Sequence, residues 1–224
     1  IFNFLKKMFK IKILKSFKEI QEATKFHNLN YLMAWRRNLF SVIKSKLFQI
    51  LSIFCGILVK FFFQFSVTKS IVISYISMLV YSIIKVSFCA YSNIRPQLEL
   101  REFFEYWTSP KNCLIGMYLT ENGSVSLIGT IGLVATDSAG ICEMKRFHIL
   151  EKYRKKGCGQ KLFTFFMEMA IKMNYKKIRL NVNSQSHEAI RFYEKNKFEK
   201  YKNEIYGTIL PLNDIFAVYY EKVL

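Results

Sequence analysis

The apolar residues of this chain follow several spacings in turn, and each spacing predicts a different element. Residues 11–17 largely alternate apolar with polar, which predicts a short strand. From residue 18 to about residue 38 the apolar positions recur at helical spacing, which predicts an amphipathic helix. Residues 47–91 then form a long apolar tract, which is divided into two runs by the sequence Ser-Val-Thr-Lys-Ser at residues 66–70.

The two apolar runs, residues 47–65 and 71–91, have the length of membrane spans. Each is about 20 residues long, which suits a hydrocarbon core near 30 Å. Neither contains an acidic residue, but Lys60 and Lys85 interrupt them. A charge at mid-bilayer costs roughly 2.5–3.5 kcal/mol, and less where the side chain reaches the interface. The pattern predicts a transmembrane helical hairpin, with buried core helices or one interfacial helix as alternatives.

Beyond Pro96 the pattern becomes that of an α/β domain. Strands predicted at residues 113–119 and 124–136 are joined at Asn122-Gly123, a strong hairpin signal. The remaining predictions are helices at residues 98–106, 157–174 and 186–196, and strands at residues 141–149, 177–182 and 217–223. The chain therefore divides into residues 1–46 with the first strand and helix, residues 47–91 with the hairpin, and residues 92–224 with the main domain.

Composition changes this picture in one respect, the nature of the partners. Lysine and arginine number 34 against 16 acidic residues, and 51% of the chain is hydrophobic. Strong basicity favours an anionic partner, such as nucleic acid, an acidic membrane surface or a phosphate-rich cofactor. The apolar fraction is high for a nucleic-acid-binding protein and no recognition motif is present, so no nucleic acid partner is expected. Basicity and hydrophobicity together indicate a membrane segment flanked by cations.

The cysteines do not indicate a metal site or a disulfide framework. They are scattered, with no CxxC pair and no histidine at metal-ligand spacing, so no metal is expected. The chain begins at Ile1, and its apolar tract lies too far in for a secretory signal.

The stretch most informative about chemistry is the basic loop at residues 154–159, Arg-Lys-Lys-Gly-Cys-Gly, which follows a strand and opens a helix. Helix N-termini expose unpaired N–H groups and the positive end of the dipole. Glycines let a pyrophosphate approach those groups closely. A Walker A loop is absent, and Leu162 stands where a Rossmann fingerprint needs its third glycine. The local physics therefore predicts an anion site of another kind.

Two motifs in order resemble those of the GNAT acetyltransferases. The loop resembles the family's motif Q/R-x-x-G-x-G/A. The second motif is at residues 186–198, shortly after the predicted strand and Asn183. In that stretch the residues matching the signature N-x-x-A-x-x-F/L-Y-e-k-x-G-F are Ala189, Phe192, Tyr193 and Phe198. Ser186 stands in place of its asparagine, and Lys197 in place of its glycine, which leaves the conformation of that turn open.

The resemblance implies a fold, a cofactor and site residues. The fold is the α/β (α+β) GNAT fold, a mixed central sheet flanked by helices, here with the hairpin inserted. Acetyl-CoA donates its acetyl group directly to an amine. By analogy with the family, the cofactor-binding residues are Phe147, Ile149, Arg154, Lys155, Lys156, Gly157, Cys158, Gly159, Asn183 and Ala189. Tyr193 would be the general acid for the departing thiolate, and Glu143 the general base.

Other interpretations of these residues stay open. Tyr193 can equally be a core aromatic side chain, Glu143 a solvated or salt-bridged strand residue, and His148 an alternative base that titrates near neutrality. His187 is expected at the surface or in a helix cap. A rival function is a non-catalytic, membrane-bound GNAT-fold interaction protein.

The position of the hairpin narrows the resemblance to the membrane-bound camello-like N-acetyltransferases, a group that includes cysteine-S-conjugate N-acetyltransferase. Residues 105–134 and 214–224 resemble that group as well. The expected acceptor is a small-molecule amine, such as that of a cysteine S-conjugate, or a protein lysine. The first strand must join the sheet that follows Pro96, so the number of crossings is even. Positive flanks then favour a cytosolic catalytic domain on the endoplasmic reticulum or another endomembrane, with a lumenal domain as the alternative.

Overall fold

The computed structural model describes residues 8–44, 46–98, 100–184, 186–205 and 216–224. The predicted divisions 1–46 and 92–224 therefore lie partly outside the described residues. The strands are β1 Met8–Ile13, β2 Cys113–Glu121, β3 Ser124–Ala135, β4 Ile141–Ile149, β5 Lys177–Asn183, β6 Glu199–Ile205 and β7 Phe216–Val223. The helices are α1 Phe17–Lys44, α2 Lys46–Phe63, α3 Val67–Leu98, α4 Leu100–Thr108, α5 Cys158–Lys172 and α6 His187–Lys195.

The described residues fall into two units. The first, which we call the sheet unit, comprises Ile1–Asn28, Gln97–Glu204 and Phe216–Leu224. The second, the helical unit, comprises the described residues within Leu29–Pro96, together with Ile205. The first half of α1 belongs to the sheet unit, and α2 with most of α3 belongs to the helical unit.

A single seven-stranded sheet in the order β1-β2-β3-β4-β5-β7-β6 organises the sheet unit. The pairs β1–β2, β2–β3, β3–β4 and β5–β7 are antiparallel, whereas β4 and β5 are parallel. One face is covered by α5 and α6, whose buried residues join a core with Met117, Ile131, Met144, Ile178 and Tyr220. On the other face α1 and α4 cover only the β1–β3 side, with a core that includes Ile20, Phe103, Trp107, Leu114 and Leu127.

The turn of the predicted β2–β3 hairpin is confirmed. Asn122 and Gly123 both have positive φ, 52° and 75°, as the mirror-image turns of tight hairpins require. Gly132 further along β3 allows a close approach, since a Cβ there would lie 2.3 Å from the Trp107 ring. The indole of α4 can therefore lie directly on the strand.

The predicted first strand, residues 11–17, is displaced to Met8–Ile13, because the extended segment is ended by a helix cap at Ser16 and α1 begins at Phe17. Ser16 and Glu19 form a capping box: the Glu19 carboxylate accepts from the Ser16 N–H at 3.0 Å, and the Ser16 hydroxyl accepts from the Glu19 N–H at 3.3 Å. These bonds satisfy the first N–H groups of the helix. The chain therefore turns from strand to helix at Ser16.

One strand, β6, has no counterpart among the predictions. Its sequence, Glu-Lys-Tyr-Lys-Asn-Glu-Ile, carries charged or polar residues at five of its seven positions and shows no apolar alternation. The strand lies at the edge of the sheet beside β7. Charged residues at an edge prevent pairing with other chains, so the same feature that suits β6 to its place hides it from the pattern.

The link inside the predicted hairpin is also displaced. Residues 66–70 were expected to connect the two helices, but the connection is residues 64–66, and Val67–Ser70 form the first turn of α3. Ser66 caps that turn, because its hydroxyl accepts from the Lys69 N–H at 3.4 Å and its carbonyl from the Ser70 N–H at 3.0 Å. α3 also runs past residue 91, to Leu98.

Among the described residues, one helix stretch, Val67–Ile84, has the length and apolar character needed to cross a membrane. The apolar part of α2, Phe48–Phe63, is shorter than such a span. The two helices contact each other closely: a Cβ on Gly56 would lie 2.9 Å from the Ile71 Cα, and the Ser52 hydroxyl lies 3.2 Å from the Met78 sulfur.

The turn after α6, where Lys197 replaces the glycine of the family signature, keeps a left-handed backbone. Lys197 has φ 61°, and the N–H groups of Phe198 and Lys197 donate to the carbonyls of Tyr193 and Glu194 at 3.0 and 2.9 Å. This is the hydrogen-bond pattern of a Schellman helix end, which glycine adopts without strain.

We therefore expect Lys197→Gly to stabilise the protein. Relief of left-handed strain, offset by the greater backbone entropy of glycine, gives a net gain of about 0.5–1 kcal/mol in the free energy of unfolding. Denaturant unfolding of the full chain measures it. Lys195→Gly, the same change at the last, right-handed residue of α6, is the control and should destabilise by up to about 1 kcal/mol. A loss of stability in the Lys197 variant would contradict the account.

Candidate functional site

The site is built where the parallel strands β4 and β5 separate. Their register pairs end at Glu143 opposite Arg179, although β4 continues to Ile149 and β5 to Asn183. Beyond that point each strand turns a backbone edge towards the gap. An extended ligand can pair with such an edge in the manner of an added strand.

A bulge in β4 sets the direction of the side chains beyond the gap. Thr130 pairs with His148 and Gly132 with Lys145, so one residue of β3 faces two of β4, and Arg146 takes a positive φ of 55°. Upstream, Cys142 and Met144 face the core under α5, whereas downstream Phe147 and Ile149 face it. The extra residue thus reverses the alternation and turns Phe147 and Ile149 towards the predicted loop.

Buried polar groups hold this bulge on its other face. The Thr130 hydroxyl donates to the Arg146 carbonyl at 3.0 Å, so its oxygen accepts from His27 Nε2 of α1 at 2.8 Å. Burial, and then the charges of His148 and Arg146, keep the pKa of His27 well below its usual value. A neutral imidazole is therefore locked in one tautomer behind the strand.

The predicted basic loop forms an anion-accepting helix end. Gly157 is the N-cap of α5 with φ 77°, no side chain caps the helix, and the first helical bond runs from the Lys161 N–H to the Gly157 carbonyl at 3.0 Å. The N–H groups of Cys158, Gly159 and the residue after it thus have no acceptor inside the helix. A Cβ on Gly157 would meet nothing within 4 Å, so the space beside the N-cap is open.

Gly159 brings the loop, the strand and α6 together. A Cβ added there would lie 3.7 Å from the Phe147 ring, 3.8 Å from Ile149 and 3.9 Å from the Phe192 ring. The rings of Phe147 and Phe192 are themselves 5.2 Å apart. The apolar wall made by these side chains leads from the gap between the strands to the N-terminus of α5.

The cations of the loop differ in their surroundings. Arg154 Nε donates to the Ile149 carbonyl at 3.1 Å and so ties the loop to the end of β4. Glu188, in the first turn of α6, lies 3.7 Å from Arg154 and 3.3 Å from Lys155. The hydrogen bond from Lys155, with the charges nearby, lowers the pKa of Glu188. Lys156 is exposed.

The other predicted cofactor residues are less directly connected to the loop. Cys158 is 2% exposed and packs into the core beneath α5, so only its backbone faces the anion site. Asn183 ends β5, and its carbonyl accepts from the Ser186 N–H at 2.8 Å. Ala189 packs against the core one residue after Glu188, which places it close to the loop.

Tyr193 is buried in an aromatic cluster. Its ring centroid lies 5.9 Å from Phe192, 5.8 Å from Phe198 and 6.2 Å from Tyr220. Burial raises the pKa of its phenol, which keeps the hydroxyl protonated at neutral pH. Protonation suits a general acid, and the packing suits the core role as well, so its catalytic role stays a prediction.

Glu143 occupies a different environment, at the last β4–β5 pair. Its carboxylate lies 3.0 Å from the Lys145 ammonium, and it lines a cleft of about 200 Å³ on the sheet face opposite α5 and α6. A carboxylate beside a cleft at the gap is placed to receive a proton from a molecule bound there.

The two histidines considered in the sequence have different settings. Burial, and then the charges of Arg146 and Arg154, lower the pKa of His148 to about 4, so contrary to the expectation it does not titrate near neutrality and is a weak base at pH 7. His187 is exposed as the first residue of α6. Within the described residues no group of three or more histidine, cysteine or acidic side chains could hold a metal ion.

Comparison with protein families identifies this arrangement. Residues 80–198, more than half of the chain, match the acetyltransferase (GNAT) family. The chain belongs to this family. It is therefore an acetyltransferase.

Solved structures resemble it over about half its length. An IAA acetyltransferase from Bacillus cereus is 19% identical, with a TM-score of 0.45 over 55% of this chain and 84% of that one. An acetyltransferase of the GNAT family from Staphylococcus aureus is 22% identical, with a TM-score of 0.46 over 58% and 78%. The ribosomal-protein-S18-alanine N-acetyltransferase from Escherichia coli is 14% identical, with a TM-score of 0.43 over 51% and 70%. A comparison with curated proteins finds no match.

Several residues of the candidate site carry no signal in the sequence. His27 and Thr130 are 103 positions apart, and only the packing of α1 on the sheet joins them. Glu188 could have been noticed as an acidic residue in the first turn of a helix, but its pairing with the loop needs the tertiary fold. The cleft beside Glu143 combines residues of four strands and one strand end, including β6.

Proposed function

We propose that this enzyme transfers the acetyl group of acetyl-CoA to a primary amine. The observation that carries the proposal is the continuity from the open edge of β4 beyond Glu143 to the uncapped N-terminus of α5. The pantetheine arm would pair with the edge of β4, and the pyrophosphate would accept from the N–H groups of residues 154–159. Phe147 and Ile149 would hold the arm, while Asn183 and Ala189 would border it from β5 and α6.

The chemistry needs three groups in this arrangement. The amine loses a proton to Glu143, directly or through water, and attacks the thioester carbonyl, which forms a C–N bond and an oxyanion. The N–H groups of residues 147–149 would stabilise that oxyanion. The C–S bond then breaks, and Tyr193 would supply the proton to the departing thiolate of CoA.

The acceptor is either a small-molecule amine, such as that of a cysteine S-conjugate, or a protein lysine. A screen for release of free CoA, with S-substituted cysteines and lysine peptides as acceptors and the full chain in detergent, tests the proposal. Amine-dependent CoA release supports it. Acetyl-CoA binding without CoA release from any amine would instead favour the non-catalytic interaction protein.

For Tyr193→Phe we expect turnover to fall by about 10- to 100-fold with little change in acetyl-CoA affinity, because only the proton donor is removed. Steady-state kinetics and calorimetry measure the two effects. Tyr220→Phe, a neighbouring phenol whose hydroxyl donates to Glu194 at 3.0 Å, is the matched control and should keep its turnover. Unchanged turnover in the Tyr193 variant would leave that residue a core aromatic.

We further propose that the helical unit anchors the enzyme in a membrane as a helical hairpin, as in the camello-like group. Its packing supports this, because, apart from Phe48, its buried positions are small or polar, such as Ser52, Gly56 and Ser70, while most large apolar side chains point outward. Only 17% of the window Val67–Ile84 is buried. Water would penalise such an arrangement, whereas lipid favours it.

The order of elements along the chain supports an even number of membrane crossings. β1 precedes the helical unit and β2 follows it, yet the two strands are neighbours in one sheet. The cations before and after the hairpin favour a cytosolic catalytic domain on the endoplasmic reticulum or another endomembrane. Flotation with neutral liposomes in high salt tests the anchor. Recovery of the protein in the bottom fraction would contradict it, whatever the acetyltransferase activity.

A further inference from the structure

A buried chain of hydrogen bonds joins α1 to the bulge of β4. His27 of α1 and Thr130 of β3 are both fully buried. His27 Nε2 lies 2.8 Å from the Thr130 hydroxyl, which donates to the Arg146 carbonyl at 3.0 Å. Three segments that are distant in the sequence therefore meet at one carbonyl group, and all three belong to the sheet unit.

The direction of both hydrogen bonds is fixed by the groups that make them. A carbonyl only accepts, so the single proton of the Thr130 hydroxyl goes to the carbonyl, and His27 must donate to the hydroxyl oxygen. Burial keeps the pKa of His27 well below its usual value, so its imidazole is neutral and its one N–H is on Nε2. Neighbouring rings hold it in this orientation, with centroids 5.9, 6.1 and 5.6 Å away in Phe26, Phe103 and His148.

The carbonyl that accepts from Thr130 shares its peptide group with the N–H of Phe147. The peptide bond is trans, and in a planar trans peptide the C=O and the N–H point in opposite directions. The carbonyl points to β3, which carries Thr130, so the N–H of Phe147 points away from β3. The next strand on that side is β5, from which β4 has already separated. The Phe147 N–H therefore faces the gap between the two strands.

The backbone at this point needs support to stay as it is. Arg146 has φ 55°, a left-handed conformation that an L-residue other than glycine adopts only at a cost. Such a conformation persists where the surrounding structure holds it. The hydrogen bond from Thr130 is one such restraint. Without it the peptide group could rotate and carry the Phe147 N–H away from the gap.

We propose that His27 and Thr130 are positioning residues of the acetyl transfer, which hold the Phe147 N–H so that it donates to the thioester carbonyl and then to the oxyanion. Both act through the Arg146 carbonyl, from the sheet face opposite α5. This assignment rests on the acetyl transfer proposed above and adds the particular N–H group and what aligns it. One oxyanion donor contributes about 100- to 1000-fold to kcat, and a displaced donor loses much of that.

The test observes the hydrogen bond on the bound cofactor and needs no acceptor. Acetyl-CoA with an isotopically labelled carbonyl is bound to the full chain in detergent, and infrared difference spectroscopy records the thioester carbonyl band. A hydrogen bond weakens the C=O bond, so we expect the band in the wild type to lie below that of free acetyl-CoA. In Thr130→Val we expect it to return towards the free position. The dissociation constant of acetyl-CoA should change by less than about threefold, and kcat should fall by about 10- to 100-fold.

Conservative variants separate positioning from packing. Thr130→Ser keeps the hydroxyl but leaves a small cavity, so we expect it to lose stability yet to keep the shifted band and most of the turnover. His27→Gln keeps a donor nitrogen and should also keep both, whereas His27→Phe keeps a ring without a donor and should lower kcat by about tenfold. Thr24→Val is the matched control, because it also removes a buried hydroxyl, one that donates at 2.8 Å to the Ile20 carbonyl within α1. Its band and turnover should equal those of the wild type.

The outcomes that overturn the proposal differ from those that refute the acetyl transfer. A wild-type band at the free position would overturn the proposal, and so would a band in Thr130→Val that stays at the wild-type position. If Thr130→Val does not fold, the two His27 variants decide, and equal bands and equal turnover in both would overturn it. Failure of the wild type to bind acetyl-CoA would refute the acetyl transfer, and this assignment with it.

Discussion

Replacement of Gly157 by glutamate is expected to abolish measurable acetyl-CoA binding. Gly157 caps α5 with φ 77°, a conformation that costs an L-residue about 1–2 kcal/mol. The open space before its Cα is the space proposed for the pyrophosphate, so a carboxylate there would meet the phosphate charges directly. Strain and repulsion together should raise the dissociation constant by more than about 100-fold.

The structure offers a matched control for the strain. Gly123 in the β2–β3 turn has φ 75° and, like Gly157, nothing within 4 Å of an added Cβ. Gly123→Glu should therefore destabilise the fold to a similar degree while acetyl-CoA affinity stays normal. Titration calorimetry with acetyl-CoA measures both variants. Normal affinity in the Gly157 variant would refute the placement of the cofactor loop.

Glu143→Gln is expected to lower turnover by about 100-fold or more, the usual effect of removing a general base. Glutamine keeps the shape of the side chain but cannot accept the amine proton, so acetyl-CoA affinity should not change.

Two further variants separate a base from a structural carboxylate. Glu143→Asp retains a carboxylate and should recover part of the turnover, whereas Glu168→Gln, at an exposed position of α5, should have no effect. If Glu143→Gln retained full turnover, its carboxylate would serve only the ion pair with Lys145.

The cofactor loop was predictable because its features are local. The glycines, the cations and the start of the helix all lie within a few residues. In the structure α5 begins at Cys158, one residue after the predicted start. The β2–β3 turn at Asn122-Gly123 was predictable for the same reason. The capping box of Ser16 and Glu19 is also local, and the alternation of apolar residues concealed it.

The rest of the site was not predictable because it depends on pairing between distant segments. The bulge at Arg146 arises from the register of β4 against β3. The apolar positions of β4 change phase there, but a change of phase does not by itself specify a bulge. Arg179 meets Glu143 only through the parallel β4–β5 ladder, and Tyr201, which lines the cleft beside Glu143, belongs to an edge strand without apolar alternation. Periodicity reports which face of an element is buried, but it does not report which strands lie side by side.

The most direct test of the account is a single measurement of CoA release. The wild-type full chain and the Gly157→Glu variant are each incubated in detergent with acetyl-CoA, with and without S-benzyl-L-cysteine, and the free thiol of CoA is followed over time. The account predicts amine-dependent release by the wild type and none above background by the variant. Equal release by the two proteins, or no dependence on the amine, would contradict it.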